Sequence, residues 1–103
     1  MKAQFKIQKH KPEGVTLYVK GDLTVPSAKE FKEYLMNLLG ATGKGKAEIS
    51  LKETMAIDVS AIQLMYAAIE AMKKNKNKFS VQWPDSQPVN DLLAKSGIKQ
   101  ALQ

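Results

Sequence analysis

Four short stretches of this chain alternate apolar and polar residues with a period of two, the spacing of a strand that buries one face. They are residues 4–8 (Phe5 and Ile7 apolar), 15–20 (Val15, Leu17, Val19), 47–51 (Ala47, Ile49, Leu51) and 79–83 (Phe79, Val81, Trp83). Three other stretches repeat apolar residues at the three- and four-residue steps of a helix. Residues 26–39 place Ala28, Phe31, Leu35 and Leu38 on one stripe, residues 60–74 place Ile62, Met65, Ile69 and Met72 on another, and residues 87–96 carry Val89, Leu92 and Leu93. Gly40 and Gly97 stand where helix C-caps belong.

The alternation decides the layering. Strands covered on both faces read as continuous apolar runs, and none of these does. One face offers Phe5, Ile7, Leu17, Ile49, Val81 and Trp83, and the other offers Lys6, Thr16, Tyr18, Glu48, Ser50, Ser80 and Gln82. This predicts an α/β two-layer sandwich with all helices on one face and the other face mostly wet. Pro12-Glu13-Gly14 turns the first two strands into an antiparallel hairpin. The later strands alternate with helices, so they run parallel through right-handed crossovers, in sequential order. Leu17, Phe31, Ile49, Ile69 and Val81 are expected to meet in one core. A chain of 103 residues makes a single domain over 1–103, able to bury about two-thirds of its unfolded surface.

That topology gives the charges an address. The parallel strands end at Leu23-Thr24, Ile57-Asp58 and Trp83-Pro84-Asp85, on the edge where open α/β sheets usually hold ligands. Three helices start there, behind Thr24 or Ser27, Asp58 or Ser60, and Ser86, beside the acids Asp22, Asp58 and Asp85. Asp and Ser are favoured helix starts because their oxygens accept free backbone N–H groups, and Ser60-Ala61-Ile62-Gln63 has the capping-box spacing. A hydroxyl at a helix N-terminus is equally ready for a phosphate, so capping and anion binding both remain open for Asp58 and Ser60. On the helix that follows, Gln63, Tyr66, Glu70 and Lys73 form a narrow polar stripe. The wide apolar arc implies either packing on several sides or a first turn, with Val59, Ile62 and Gln63, left open for a partner. The basic runs fall at the opposite edge: Lys9-His10-Lys11, Lys44, Lys46 and residues 73–78.

Composition removes several function classes. The chain has no cysteine, which excludes disulfides and thiol catalysis. His10, the only histidine, sits between lysines and reads as a solvated turn residue. Gly43-Lys44-Gly45-Lys46 lacks the spacing of a phosphate-binding loop, and nothing assembles a Ser-His-Asp set, so no enzyme activity, metal or cofactor is expected. The net charge of +6 raises a nucleic-acid or anionic-surface reading. All 16 basic residues are lysines, whereas arginine supplies most bidentate phosphate and guanine contacts. Phe5, Phe79 and Trp83 alternate inward, leaving Tyr18 as the one outward sheet aromatic, so nucleic acid is the less favoured partner. No apolar run reaches the ~20 residues of a membrane span, and the first residues lack the apolar core of a signal peptide. A cytoplasmic location is expected.

The segment Met55-Ala56-Ile57-Asp58-Val59-Ser60-Ala61-Ile62-Gln63-Leu64 resembles the signature loop of STAS domains, the family of the anti-sigma factor antagonists. Gly21-Asp22-Leu23-Thr24 resembles the family's stretch before its first helix, and Ser86 to Leu93 with Gly97-Ile98 resembles its last helix. The resemblance implies a non-catalytic regulatory module in signal transduction and transcription regulation. Its partner would be an anti-sigma factor, a kinase-like regulator or another assembly that uses STAS domains. Partner contact would fall on Asp22, Thr24, Asp58, Val59, Ser60, Ala61, Ile62 and Gln63. Two departures matter. The family's phosphorylated Ser or Thr directly follows the Asp, and here that position is Val59, which cannot carry phosphate. Many antagonists have an acid where this chain has Thr24. The usual phosphoswitch is therefore not expected, and Ser60 is left as the candidate phosphoacceptor.

Overall fold

The computed structural model describes residues 2–10, 14–42 and 45–101. The hairpin turn expected at Pro12-Glu13, with Lys11, and the Gly43-Lys44 pair lie outside the described residues. Strand β1 (Gln4–His10) runs antiparallel to β2 (Gly14–Leu23), with Phe5 opposite Val19 and Ile7 opposite Leu17. Strands β3 (Lys46–Ile57) and β4 (Lys78–Gln82) follow in parallel, giving the sheet order β1-β2-β3-β4. Helix α1 (Ala28–Thr42), entered through a 3-10 turn at Val25–Ser27, joins β2 to β3, and α2 (Val59–Lys74) joins β3 to β4. Helices α3 (Gln87–Ser96) and α4 (Ile98–Ala101) complete the order.

The two-layer α/β sandwich with sequential strand order is as the alternation predicts. Leu17, Ile49, Phe31 and Ile69 are fully buried in one cluster that also takes in Leu38, Leu51, Met65, Met72, Leu93 and Ile98. Phe5 stacks on Phe31 and Tyr34, with ring centroids 5.9 and 5.0 Å away, which ties the outer hairpin strand to α1. Trp83 lies half-buried beyond the end of β4, under the Lys99 ammonium of α4 at 4.9 Å from the ring centroid. The α3–α4 junction is fixed at Gly97, whose φ of 79° is left-handed and whose absent Cβ would come within 3.3 Å of the Tyr66 hydroxyl. That hydroxyl donates to the Ser96 carbonyl at 2.7 Å, so no other residue fits there without strain.

Four expectations need correction. Val81 belongs to the inward set but is only half-buried, because β4 is an edge strand with five residues and one neighbour. On the other face, Thr16 and Ser50 are 3% and 4% exposed, although that face carries no helix. These short side chains lie low among longer ones. Thr16 Oγ1 is 2.9 Å from His10 Nε2, so His10 is anchored to the sheet, and the Ser50 hydroxyl donates to Gln82 Oε1 at 2.7 Å. Gly40 does not end α1, which runs on to Thr42. Finally, β3 extends six residues beyond Leu51. Its register against β2 shifts between Tyr18 and Lys20 and again between Gly21 and Asp22, with the additional residue on β3 each time. The first bulge breaks the period of two, so Thr54 turns inward out of phase with Ile49 and Leu51, and the second brings Ile57 back into phase with them.

Candidate functional site

The C-terminal ends of β2 and β3 lie side by side, with Asp22 opposite Ala56 and Leu23 opposite Ile57. The Asp58 backbone N–H closes the ladder on the Leu23 carbonyl at 3.3 Å. Asp58 is extended and is the N-cap of α2, its Oδ1 accepting from the Ala61 backbone N–H at 3.3 Å. The same Oδ1 accepts the Ser60 hydroxyl at 2.5 Å, and Oδ2 accepts the Val25 backbone N–H at 2.8 Å. One carboxylate thus clamps the start of α2 to the 3-10 turn that opens α1. Partial burial by itself raises the Asp58 pKa. The hydrogen bonds from Ser60, Ala61 and Val25 outweigh that and hold the carboxyl below its ordinary value.

Of the two caps the sequence offers, Asp58 and Ser60, this geometry selects Asp58. The helix begins one residue earlier, at Val59, and Ser60 spends its proton on Asp58 rather than accepting from a backbone N–H. Ser60-to-Gln63 is therefore not a capping box. The Asp58 carboxylate already takes up the Ala61 backbone N–H at the helix start. Thr24 and Ser86 precede their helices without a side-chain cap bond, so Asp58 alone of these three candidates caps through its side chain.

The expected contact residues divide. Val59 is 64% exposed, Gln63 is exposed, and Asp22, Thr24, Asp58 and Ser60 are half-buried along the same edge. Ala61 and Ile62 are 0% and 6% exposed and pack into the core, so their side chains are not available to a partner. Val25 joins this edge from outside the expected set. It is 66% exposed, and its N–H is held by Asp58, which places two solvated apolar side chains beside one carboxylate. Its signal is an apolar residue before Pro26 that no periodic stripe claims. Met55, 63% exposed within the bulged end of β3, adds a third.

A concavity of about 510 Å³ lies elsewhere. It lies on the open sheet face among Gln4, Lys6, Gln8, Tyr18, Lys20 and Glu53 and is wide open to solvent. Among the described residues, no three acidic or histidine side chains converge as a metal site, and no helix is long and apolar enough to cross a membrane.

No sequence-family model and no curated protein sequence matches the chain. Solved structures do. An anti-sigma factor antagonist from Mycobacterium paratuberculosis superposes with a TM-score of 0.83 at 12% identity, covering 96% of this chain and 81% of that one. The Bacillus cell fate determinant SpoIIAA in its phosphorylated form gives 0.70 at 13% identity, over 94% of this chain and 86% of that one. An antisigma-factor antagonist STAS domain from Rhodobacter sphaeroides gives 0.64 at 15% identity, over 78% and 85%. The mixed sheet, the helices on one face and these superpositions together establish that the chain has the fold of the STAS domains of anti-sigma factor antagonists.

Proposed function

We propose that this protein is a non-catalytic regulatory module of the cytoplasm that binds a protein partner through the edge around Asp58, without a phosphoswitch at the position after it. The partner class is an anti-sigma factor, a kinase-like regulator or another STAS-using assembly. One observation carries the reading: the side chain following the capping Asp58 is an inert valine, 64% exposed, next to the equally exposed Val25. Apolar side chains held in solvent by a fully bonded carboxylate make a preorganised contact that loses little entropy when it is covered. Phosphate added on Ser60 would break its 2.5 Å bond to Asp58 and set a dianion against a carboxylate already held in its charged form.

The test is affinity capture from the native cells with wild-type protein, Val59→Lys, and Lys78→Glu at the opposite edge. Loss of one and the same protein with Val59→Lys, and its retention with Lys78→Glu, is the expected result. Equal capture by all three would move the contact elsewhere. Intact mass of the native protein checks the second part, and stoichiometric phosphate on Ser60 that changes capture would overturn it.

A further inference from the structure

The N-terminal ends of the parallel strands make the opposite edge of the sheet, and six exposed lysines gather there: Lys9, Lys46, Lys73, Lys74, Lys76 and Lys78. Two of them account for themselves locally, since Lys73 and Lys74 sit in the last turn of α2 and complement its dipole. The others do not. Lys46 and Lys78 are directly opposed in the β3–β4 ladder, where like charges destabilise the pairing. Glu48, the next acid along β3, receives the Ser80 hydroxyl at 3.3 Å, and no ion pair relieves either lysine among the described residues.

Lys76 is the sharper case. Its φ of 60° lies in the left-handed region, and it is the single non-glycine residue there among the described residues. Lysine is a costly choice at such a position, which glycine or asparagine fills more cheaply. The turn around it is well fixed. Asn75 and Lys76 donate to the Ala71 and Lys73 carbonyls, each at 3.1 Å, Asn77 N–H donates to the Met72 carbonyl at 2.9 Å, and Asn77 Nδ2 reaches the Gly45 carbonyl at 3.4 Å. The fold thus holds a lysine where it weakens the turn, beside two lysines that repel each other.

We infer that this end of the sheet docks on an anionic lipid surface, with the Asp58 edge turned away towards the bulk solution. The chemistry selects lipid over nucleic acid. Lysine is a point charge that asks for no fixed geometry, and a fluid layer of acidic headgroups supplies none. The planar arginine fork that reads phosphate and guanine is absent from the chain, and the nearest aromatic, Phe79, packs against the core instead of offering a stacking face.

The experiment is co-sedimentation of the full chain with vesicles of phosphatidylcholine alone or mixed with phosphatidylserine, over a salt series, beside a duplex-DNA titration at the same salts. Binding to the phosphatidylserine vesicles only, weakening as salt rises, is expected. Each lysine contributes about fivefold in affinity to such a surface, so Lys46→Gln with Lys78→Gln should lose more than about tenfold. Lys76→Gly separates function from folding, because it should raise the thermal midpoint while weakening vesicle binding by about fivefold. Lys29→Gln, in the first turn of α1 at the other edge, should leave binding in place. No pelleting with phosphatidylserine, tighter binding to the duplex than to the vesicles, or unchanged vesicle binding by Lys76→Gly would each overturn the inference.

Discussion

The two edges of this sheet are built on opposite electrostatic terms. At the edge where β2 and β3 end, Asp58 receives three hydrogen bonds, and three large apolar side chains stand exposed around it: Val25, Val59 and Met55. At the other edge the apolar residues are covered, and what is left is positive charge, with Lys46 facing Lys78. The first edge is preorganised and acts at short range. The second acts through its field and fades over about 10 Å in ordinary salt. On the two proposals made above, one small domain would offer two contacts that respond to different conditions, the second governed by salt and the first much less so.

The comparison can be broken outright from the middle. Leu17 is fully buried and supports both edges, so Leu17→Ala should cost roughly 2–5 kcal/mol in urea unfolding. A loss under about 0.5 kcal/mol would mean that the inner face of the sheet is not the shared foundation described above.

Asp58→Ala tests the first edge alone. It removes the cap of α2 and its tie to Val25, with an expected loss of about 1–2 kcal/mol, and it should leave salt-dependent binding at the lysine edge unchanged. The pH dependence sharpens this. The folded carboxyl titrates below its unfolded counterpart, so its contribution is complete above the unfolded pKa and disappears as pH falls through the folded one. The stability lead of wild type over Asp58→Asn, measured by urea midpoints, should shrink on acidification. A lead independent of pH would mean that the charge is not what the clamp uses.

Thr54 lies under the same edge, paired with Gly21 in the bulged part of β3, and its buried hydroxyl has no partner among the described residues. Thr54→Val should stabilise the protein by about 1 kcal/mol, since an unmatched hydroxyl is replaced by a methyl of the same shape. Destabilisation would point to a bonded hydroxyl. The smallest effect belongs to Ser60→Ala. Had Ser60 been the cap, about 1 kcal/mol would be lost. As one donor among three to Asp58, it should cost only about 0.5 kcal/mol. Thermal unfolding of Ser60→Ala beside Asp58→Ala gives the ranking directly.

How far the sequence reaches can be read from these same residues. Val15, Leu17, Val19, Ile49 and Leu51 alternate without interruption, and the layering, the strand order and most of the core follow from them. The reading ends at Leu51 because each bulge in β3 inserts a residue that no periodic pattern encodes, and Thr54 falls beyond the first of them. Asp58 and Ser60 are both good caps, and their order along the helix depends on the Leu23 carbonyl bonding Asp58 N–H, a long-range fact. Val25 looks like one more apolar residue until Asp58 fixes its N–H and leaves its side chain in solvent. Lys76 carries no sign in the sequence that its backbone is left-handed. Composition and period show where charge and apolar surface are spent, whereas tertiary hydrogen bonds decide which residues remain facing outward.

The contact between Lys99 and Trp83 gives the molecule an internal gauge. Trp83 is the chain's one tryptophan, so the indole emission comes from a single place, half-buried beyond the end of the edge strand and beneath α4. Release of α4 takes the ammonium off the ring and admits water, while the far-UV signal of the sheet and of α1 and α2 stays as it was. In a slow heating scan, emission that shifts before the far-UV signal falls would mark the C-terminal helices as a separately loosening unit, and coincident curves would mark the domain as one cooperative body.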